Sequence, residues 1–101
     1  MIKGLSESQN NIVTQVLSSV PKIDEVILYG SRAKGNYGEN SDIDLTLKGQ
    51  NLDHAVLQNL LRKFDESTLP FTIDLSIYDN IQSSDLIEHI KRVGICIFKK
   101  D

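Results

Sequence analysis

The chain has a single cysteine, Cys96, and no long uninterrupted apolar run. One thiol cannot form an internal disulfide or supply a cysteine-rich zinc site, so both kinds of cross-link are excluded. No apolar stretch approaches the roughly 18–20 residues that cross a bilayer, and we therefore predict no membrane span. The first five residues lack the apolar core of a signal peptide, so the expected location is cytoplasmic.

An excess of positive charge is also missing, because 11 lysines and arginines face 14 aspartates and glutamates and give a net charge of −3. A protein that wraps DNA or RNA needs clustered positive charge, so we expect no extended nucleic-acid surface. A single nucleotide remains compatible, since bound cations can neutralise its phosphates. The length of 101 residues predicts one domain, 1–101, with one modest core.

Apolar residues recur with two different periods, which indicates that helices alternate with strands. The first predicted helix begins with a Ser-x-x-Gln capping box at Ser6 and Gln9. The predicted elements are, in chain order, helix 6–20, strand 25–29, short helix 31–34, strand 42–48, helix 52–64, strand 71–78, helix 84–93 and strand 95–98. This order predicts an α/β fold, with a small mixed β-sheet and flanking helices.

Three aspartates fall on the polar side of the alternating strands. Asp42 and Asp44 are two residues apart, so both point to one face of the second strand, roughly 6.6–6.8 Å apart along it. Asp74 has the same orientation in the third strand and joins them if the two strands are neighbours. Clustered carboxylates raise one another's pKa, and a bound cation relieves the repulsion. Oxygen ligands favour Mg²⁺ or Mn²⁺, and a pair of such ions is suited to phosphoryl transfer.

A glycine–serine turn follows the first predicted strand. Gly30 allows the backbone to approach a phosphate closely, and the N–H groups of a helix that begins near Ser31 favour an anion. The serine hydroxyl adds a hydrogen bond, and Arg32 or Lys34 adds charge; the pattern does not distinguish between these two. Phosphate-binding and metal-binding features in one small domain predict a phosphoryl or nucleotidyl transferase.

The complete motif is GSRAKG at 30–35, followed after five residues by SDIDL at 41–45. It resembles the signature of the DNA polymerase β-type nucleotidyltransferase superfamily. Within that superfamily the chain is most similar to the minimal nucleotidyltransferases, or MNT proteins, of bacteria and archaea. The resemblance extends over essentially the whole chain, and it implies the polymerase β-type core fold. It also implies that Gly30 and Ser31 contact the β- and γ-phosphates, with Arg32 and Ser41 as further nucleotide-binding candidates.

The resemblance implies that Asp42, Asp44 and Asp74 bind two divalent ions, Mg²⁺ or Mn²⁺. Asp74 would complete the catalytic metal site and help to activate the acceptor hydroxyl. The third carboxylate of this family has a looser sequence context, so Asp65 and Asp79 are its competitors. Asp65 falls at a predicted helix end and Asp79 lies beyond the strand, which favours Asp74.

The implied activity is transfer of a nucleoside monophosphate, AMP from ATP, to an acceptor hydroxyl with release of pyrophosphate. We expect no second domain to hold an acceptor, so a partner would supply it. MNT proteins pair with helical HEPN-domain proteins in toxin–antitoxin systems, where the MNT protein is the antitoxin and some members transfer AMP to a tyrosine of the HEPN toxin. Two alternatives stay open: a binding antitoxin or scaffold without catalysis, and a transferase for small molecules of the aminoglycoside type.

Four further side chains carry weaker expectations. His54 and His89 lie on predicted helices without a ligand partner at useful spacing, so both are expected at the surface. Cys96 alternates with core positions in the last strand and is expected to be a small buried hydrophobe. Tyr37 lies in the motif loop and either stacks on a base or is simply exposed.

Overall fold

A four-stranded mixed sheet, in the order β3-β2-β1-β4, organises the chain. The computed structural model describes residues 2–38 and 41–100. Its elements are α1 (Glu7–Ser18), β1 (Ile23–Tyr29), α2 (Ser31–Lys34), β2 (Ile43–Gly49), α3 (His54–Asp65), β3 (Ile73–Ile77), a 3₁₀ turn (Tyr78–Asn80), α4 (Ser84–Val93) and β4 (Ile95–Lys99). The predicted order of elements and the α/β class are confirmed.

Helix starts follow from capping side chains. The Ser6 hydroxyl accepts the Gln9 N–H at 3.1 Å, and Gln9 Oε1 accepts the Ser6 N–H at 2.8 Å, so the predicted capping box is present. Asp53 caps α3 by accepting the Val56 N–H at 3.1 Å. This cap explains why α3 begins at His54, two residues later than predicted, since an N-cap residue has non-helical backbone angles.

Strand β1 pairs antiparallel with β2 on one side and with β4 on the other. Strand β2 pairs parallel with β3, with α3 between them in the chain. A parallel pair needs such a crossover, because the chain must return to the end of the sheet where the first strand began before the second strand can start. The carboxylate-bearing strands are therefore direct neighbours.

The two faces of the sheet have different coverings. One face packs against α1 and α3 and forms the core. Its buried residues include Val13 and Leu17 of α1, Val26 and Leu28 of β1, Ile43, Leu45 and Leu47 of β2, Val56, Leu60 and Phe64 of α3, and Ile73 and Leu75 of β3. The opposite face carries the alternate residues of the same strands and receives α4 against β1. This opposite face is called the polar face below.

Cys96 is exposed, so the prediction that it is buried is wrong. It lies in β4, at the edge of the sheet, and pairs with Ile27. Ile27 alternates with the core residues Val26 and Leu28, which places Cys96 on the polar face. Alternation alone cannot tell which face of a last strand is covered. Within residues 2–38 and 41–100, none of the helices has the length and apolar character needed to cross a membrane.

Candidate active site

Asp44 lies on the polar face, near the start of β2. In the strand register it pairs with Tyr29 of β1 on one side and with Asp74 of β3 on the other. Directly paired residues point to the same face of a sheet, and neighbouring strands are about 4.7–4.9 Å apart. The Asp44 and Asp74 carboxylates therefore share this face. Asp42 is exposed and lies one residue before β2, close enough for its charge to act on Asp44.

Burial raises the pKa of the Asp44 carboxyl above its usual value, and the negative charges of Asp74 and Asp42 raise it further. Burial, with the Asp44 and Asp74 charges, also raises the pKa of the Tyr29 hydroxyl, so this neighbour stays neutral. The part of the chain that the structure describes holds no group of three histidine, cysteine or acidic side chains arranged to enclose a metal ion. The donors are nevertheless carboxylate oxygens under mutual repulsion, which is the chemistry that a divalent cation fits.

Gly30 connects β1 to α2 directly beside Asp44. Its φ of +78° lies in the left-handed region that side chains rarely adopt. A Cβ at this position would also collide with Oδ2 of Asp44. Gly30 is therefore required both by its backbone angle and by the space that the carboxylate fills. The next residue, Ser31, is partly exposed at the first position of α2.

His89 belongs to this site, so the prediction that it is a surface residue without a partner is wrong. Its Nε2 accepts the Gly30 N–H at 3.1 Å, and its ring stands edge-on to Tyr29 with centroids 6.2 Å apart. The sequence around His89 gives one indication that it faces the sheet, which is its position in α4 directly before the buried Ile90. By contrast, His54 is exposed as predicted, and its ring contacts Gln58.

Arg32 is buried, at 2% exposure, and its guanidinium lies between the rings of Tyr37 and Phe71, 4.8 Å from each centroid. Its Nε donates to the Ser41 carbonyl at 3.1 Å, which ties α2 to the segment before β2. Tyr37 is thus occupied by a cation–π contact. Lys34 is exposed, at the end of α2.

Ser41 also has partners within the protein. Its hydroxyl accepts the Gly38 N–H at 2.8 Å, while its carbonyl accepts the bond from Arg32. The two competitors of Asp74 lie elsewhere: Asp65 ends α3, and Asp79 is exposed in the 3₁₀ turn after β3. Neither is paired with β2, so the register favours Asp74 as the third carboxylate.

A family model described as polymerase beta, nucleotidyltransferase, matches residues 11–101. The chain belongs to this family. It is accordingly an enzyme of the nucleotidyltransferase class. A relative from Haemophilus influenzae, named "Probable protein adenylyltransferase MntA", is 33% identical over 91 residues, which cover 89% of this chain and 79% of that protein. The resemblance to MNT proteins is thereby confirmed.

Solved structures show the same fold. A crystal structure of a toxin–antitoxin with AMP-PNP superposes with a TM-score of 0.74 at 26% identity, over 91% of this chain and 74% of that chain. A structure of a tri-AMPylated Shewanella oneidensis HEPN toxin in complex with MNT antitoxin gives a TM-score of 0.67 at 22% identity, over 90% of this chain and 70% of that chain. The small mixed sheet with flanking helices is thus the polymerase β-type core.

Proposed function

We propose that the protein is a metal-dependent adenylyltransferase that moves AMP from ATP to a hydroxyl of a HEPN-domain partner, as the antitoxin of a toxin–antitoxin pair in the cytoplasm. The observation that carries the proposal is the pairing of Asp44 with Asp74 beside the Gly30 turn. The adenylyltransferase name of the Haemophilus influenzae relative and the AMP-PNP in the related toxin–antitoxin structure support the choice of nucleotide. The complex of a Shewanella oneidensis HEPN toxin with an MNT antitoxin supports the choice of partner.

Asp42, Asp44 and Asp74 would hold the divalent ions, Mg²⁺ or Mn²⁺. When bound, such ions neutralise phosphate charge and stabilise the attacking and leaving oxygens. The three side chains do not enclose an ion by themselves among the described residues, so we expect the ions to bind jointly with the triphosphate. Burial raises the pKa of Asp44, and repulsion by Asp74 and Asp42 raises it further. A bound cation would stabilise the ionised carboxylate against both effects, which supports this arrangement.

The remaining residues bind and orient the reactants. Gly30 and Ser31 would contact the β- and γ-phosphates. Ser31 would do so through its backbone N–H and its hydroxyl, whereas Gly30, whose own N–H is bound by His89, would let the backbone approach closely. The acceptor oxygen forms a bond to the α-phosphorus, the bond from that phosphorus to the bridging oxygen breaks, and pyrophosphate leaves. Asp74 would take the proton of the acceptor hydroxyl, since it is the more exposed of the paired carboxylates.

Arg32 and Ser41 take a different part in this proposal from the one that the sequence suggested. Both have partners within the protein, so we assign them to holding Ser41, which leads into β2, against α2 rather than to contacting phosphate. Ser41 directly precedes Asp42. The hydrogen bond from Arg32 to the Ser41 carbonyl would therefore fix the backbone from which the Asp42 side chain extends. Exposed Lys34 remains free to meet a phosphate.

The test is a transfer reaction with the cognate HEPN protein, ATP and Mg²⁺, followed by mass spectrometry of the partner. Wild-type protein should add the mass of AMP to a partner hydroxyl, most directly a tyrosine. Asp44→Ala should abolish the transfer, Ser31→Ala should weaken it, and a chelator should remove both transfer and ATP binding.

The same experiment separates catalysis from binding. If wild-type protein neutralises the partner without modifying it, and Asp44→Ala does so equally well, the protein is a binding antitoxin. Unchanged ATP binding by the Asp42→Asn, Asp44→Asn double variant would contradict the metal assignment.

A further inference from the structure

The hydrogen bond between α4 and the Gly30 turn joins residues that are far apart in the chain. His89 Nε2 accepts the Gly30 N–H at 3.1 Å across a separation of 59 residues. To accept this bond, Nε2 must carry no proton, so the bond requires the Nδ1–H tautomer of the ring. The orientation of the Gly30 peptide thus depends on a side chain that lies outside the nucleotidyltransferase motif.

Gly30 is held at each of its backbone groups. Its N–H is bound by His89, and its carbonyl accepts the Lys34 N–H at 3.1 Å, the first backbone bond of α2. The Asp44 carboxylate fills the space where a Cβ would lie. With all three directions occupied, the peptide that leads into Ser31 has one orientation in this structure.

The His89 ring is itself fixed on the sheet. It contacts Tyr29 edge-on at an interplanar angle of 82°, and the neighbouring Ile90 is buried at 3% exposure. At the end of α4, a Cβ on Gly94 would come within 2.7 Å of Ile27 Cγ2, so this helix end lies close against β1. Helix α4 therefore holds the imidazole in place rather than presenting it on a mobile side chain.

We propose that His89 is a positioning residue for the phosphate-binding turn. By accepting the Gly30 N–H, it holds the Tyr29–Gly30 peptide, while the bond from the Lys34 N–H to the Gly30 carbonyl holds the next peptide. The turn that presents Ser31 to the nucleotide phosphates is thus ordered before the nucleotide binds. A preorganised turn improves binding because less ordering is required on association. The identity of the ligand rests on the proposed function, whereas the hydrogen bond does not.

The first test measures the hydrogen bond directly. In ¹⁵N-labelled wild-type protein, a scalar coupling across the bond should connect the Gly30 amide nitrogen with His89 Nε2, and the imidazole should show the Nδ1–H tautomer. A protonated Nε2, or a Gly30 amide without coupling to the ring, would overturn the proposal.

The second test measures nucleotide binding by calorimetry with AMP-PNP and Mg²⁺. His89→Phe keeps a planar ring but removes the acceptor, and it should weaken binding roughly three- to tenfold, the range for one hydrogen bond. His89→Gln, whose Oε1 can accept the same N–H, should recover most of the affinity. His54→Phe is the matched control, because His54 is exposed on α3, and it should bind like the wild type.

In the transfer assay, His89→Phe should raise the KM for ATP in proportion to its loss of AMP-PNP affinity, while kcat should change less than KM. Wild-type affinity in His89→Phe would overturn the positioning role, and so would an equal loss in the His54→Phe control. If His89→Phe does not fold, the coupling in the wild type and the affinity of His89→Gln decide. AMP-PNP binding that depends on His89 without any transfer to a partner would reject the proposed function alone.

Discussion

The core face and the polar face of the sheet use the same strands, and they differ in what their side chains can do. In β2, Ile43 and Leu45 are fully buried under α1 and α3, while Asp44 between them is half-buried on the other side. The core face stabilises the fold through buried apolar area. The polar face holds a carboxylate, Asp44, whose burial and repulsion by Asp74 and Asp42 oppose folding when it is ionised. Stability and chemistry are thus separated by a single step along the strand.

The largest expected effect is on the core face. Leu45→Ala should lower the free energy of unfolding by about 2–5 kcal/mol, because it opens a cavity between β2 and the helices at a site with 0% exposure. Urea unfolding followed by circular dichroism measures the change. A loss below about 0.5 kcal/mol would mean that the facing of β2 is reversed.

The next largest loss of stability is expected at Gly30, in the turn between β1 and α2 that adjoins the polar face. Gly30→Ala should lower stability by about 1–3 kcal/mol, because alanine is strained at positive φ and its Cβ collides with Asp44. Gly35→Ala is the control for a positive φ without a clash: its φ is +87° and its Cβ would meet no described atom within 4 Å. Its ψ of 5° is the ordinary left-handed conformation, whereas the ψ of −157° at Gly30 adds to the strain there. In an Asp44→Ala background the cost of Gly30→Ala should fall towards that of Gly35→Ala. Equal costs at the two glycines in the wild type would show that the carboxylate does not occupy this space.

A smaller loss of stability is expected for substitution of Arg32, which connects α2 to Ser41. Arg32→Met keeps much of the apolar contact with Tyr37 and Phe71 but leaves the Ser41 carbonyl without its donor, so stability should fall by about 1–2 kcal/mol. Lys34→Met, at an exposed position of the same helix, should change stability by less than about 0.5 kcal/mol. Thermal unfolding of the two variants side by side gives the comparison, and similar melting temperatures would contradict it.

The smallest effect, with the opposite sign, is expected for Asp44→Asn. Because the pKa of Asp44 is raised in the fold, ionisation of this carboxyl destabilises the native state, and asparagine removes that cost without changing shape. In metal-free buffer at neutral pH the variant should be as stable as the wild type or slightly more stable. The difference should disappear as the pH falls below the ordinary value of 3.8, where the wild-type carboxyl is protonated in both states. If Asp44→Asn is clearly less stable than the wild type at neutral pH, ionised Asp44 does not destabilise the native state and the prediction is wrong.

Local patterns predicted most of the fold and the carboxylates, because strand alternation and helix caps act over a few residues. Asp44 and Asp74 could be placed on one face from period-two alternation, once their strands proved to be neighbours. The boundaries shifted where a side chain intervened, as with Asp53 at the start of α3.

Long-range contacts could not be predicted from the same patterns. The bond from Gly30 to His89 depends on where α4 packs, and nothing in the ten residues of that helix specifies a partner 59 positions away. Arginine is a common phosphate ligand, so the sequence suggested that role for Arg32. Only the position of Phe71 in the folded chain shows that the guanidinium is enclosed. Exposed Cys96 depends on the position of β4 at the sheet edge, which alternation does not reveal.

The parallel register of β2 and β3 also protects the site against errors in assembly. Each paired aspartate is followed by a paired leucine of the core, so a slip of one residue in β3 would turn Asp74 towards the apolar side and Leu75 towards water. Such a slipped sheet would bury a charge without a partner, which is strongly unfavourable. A chain with this one-residue slip is therefore poorly folded, and the register that buries Leu75 also keeps Asp74 on the face of Asp44.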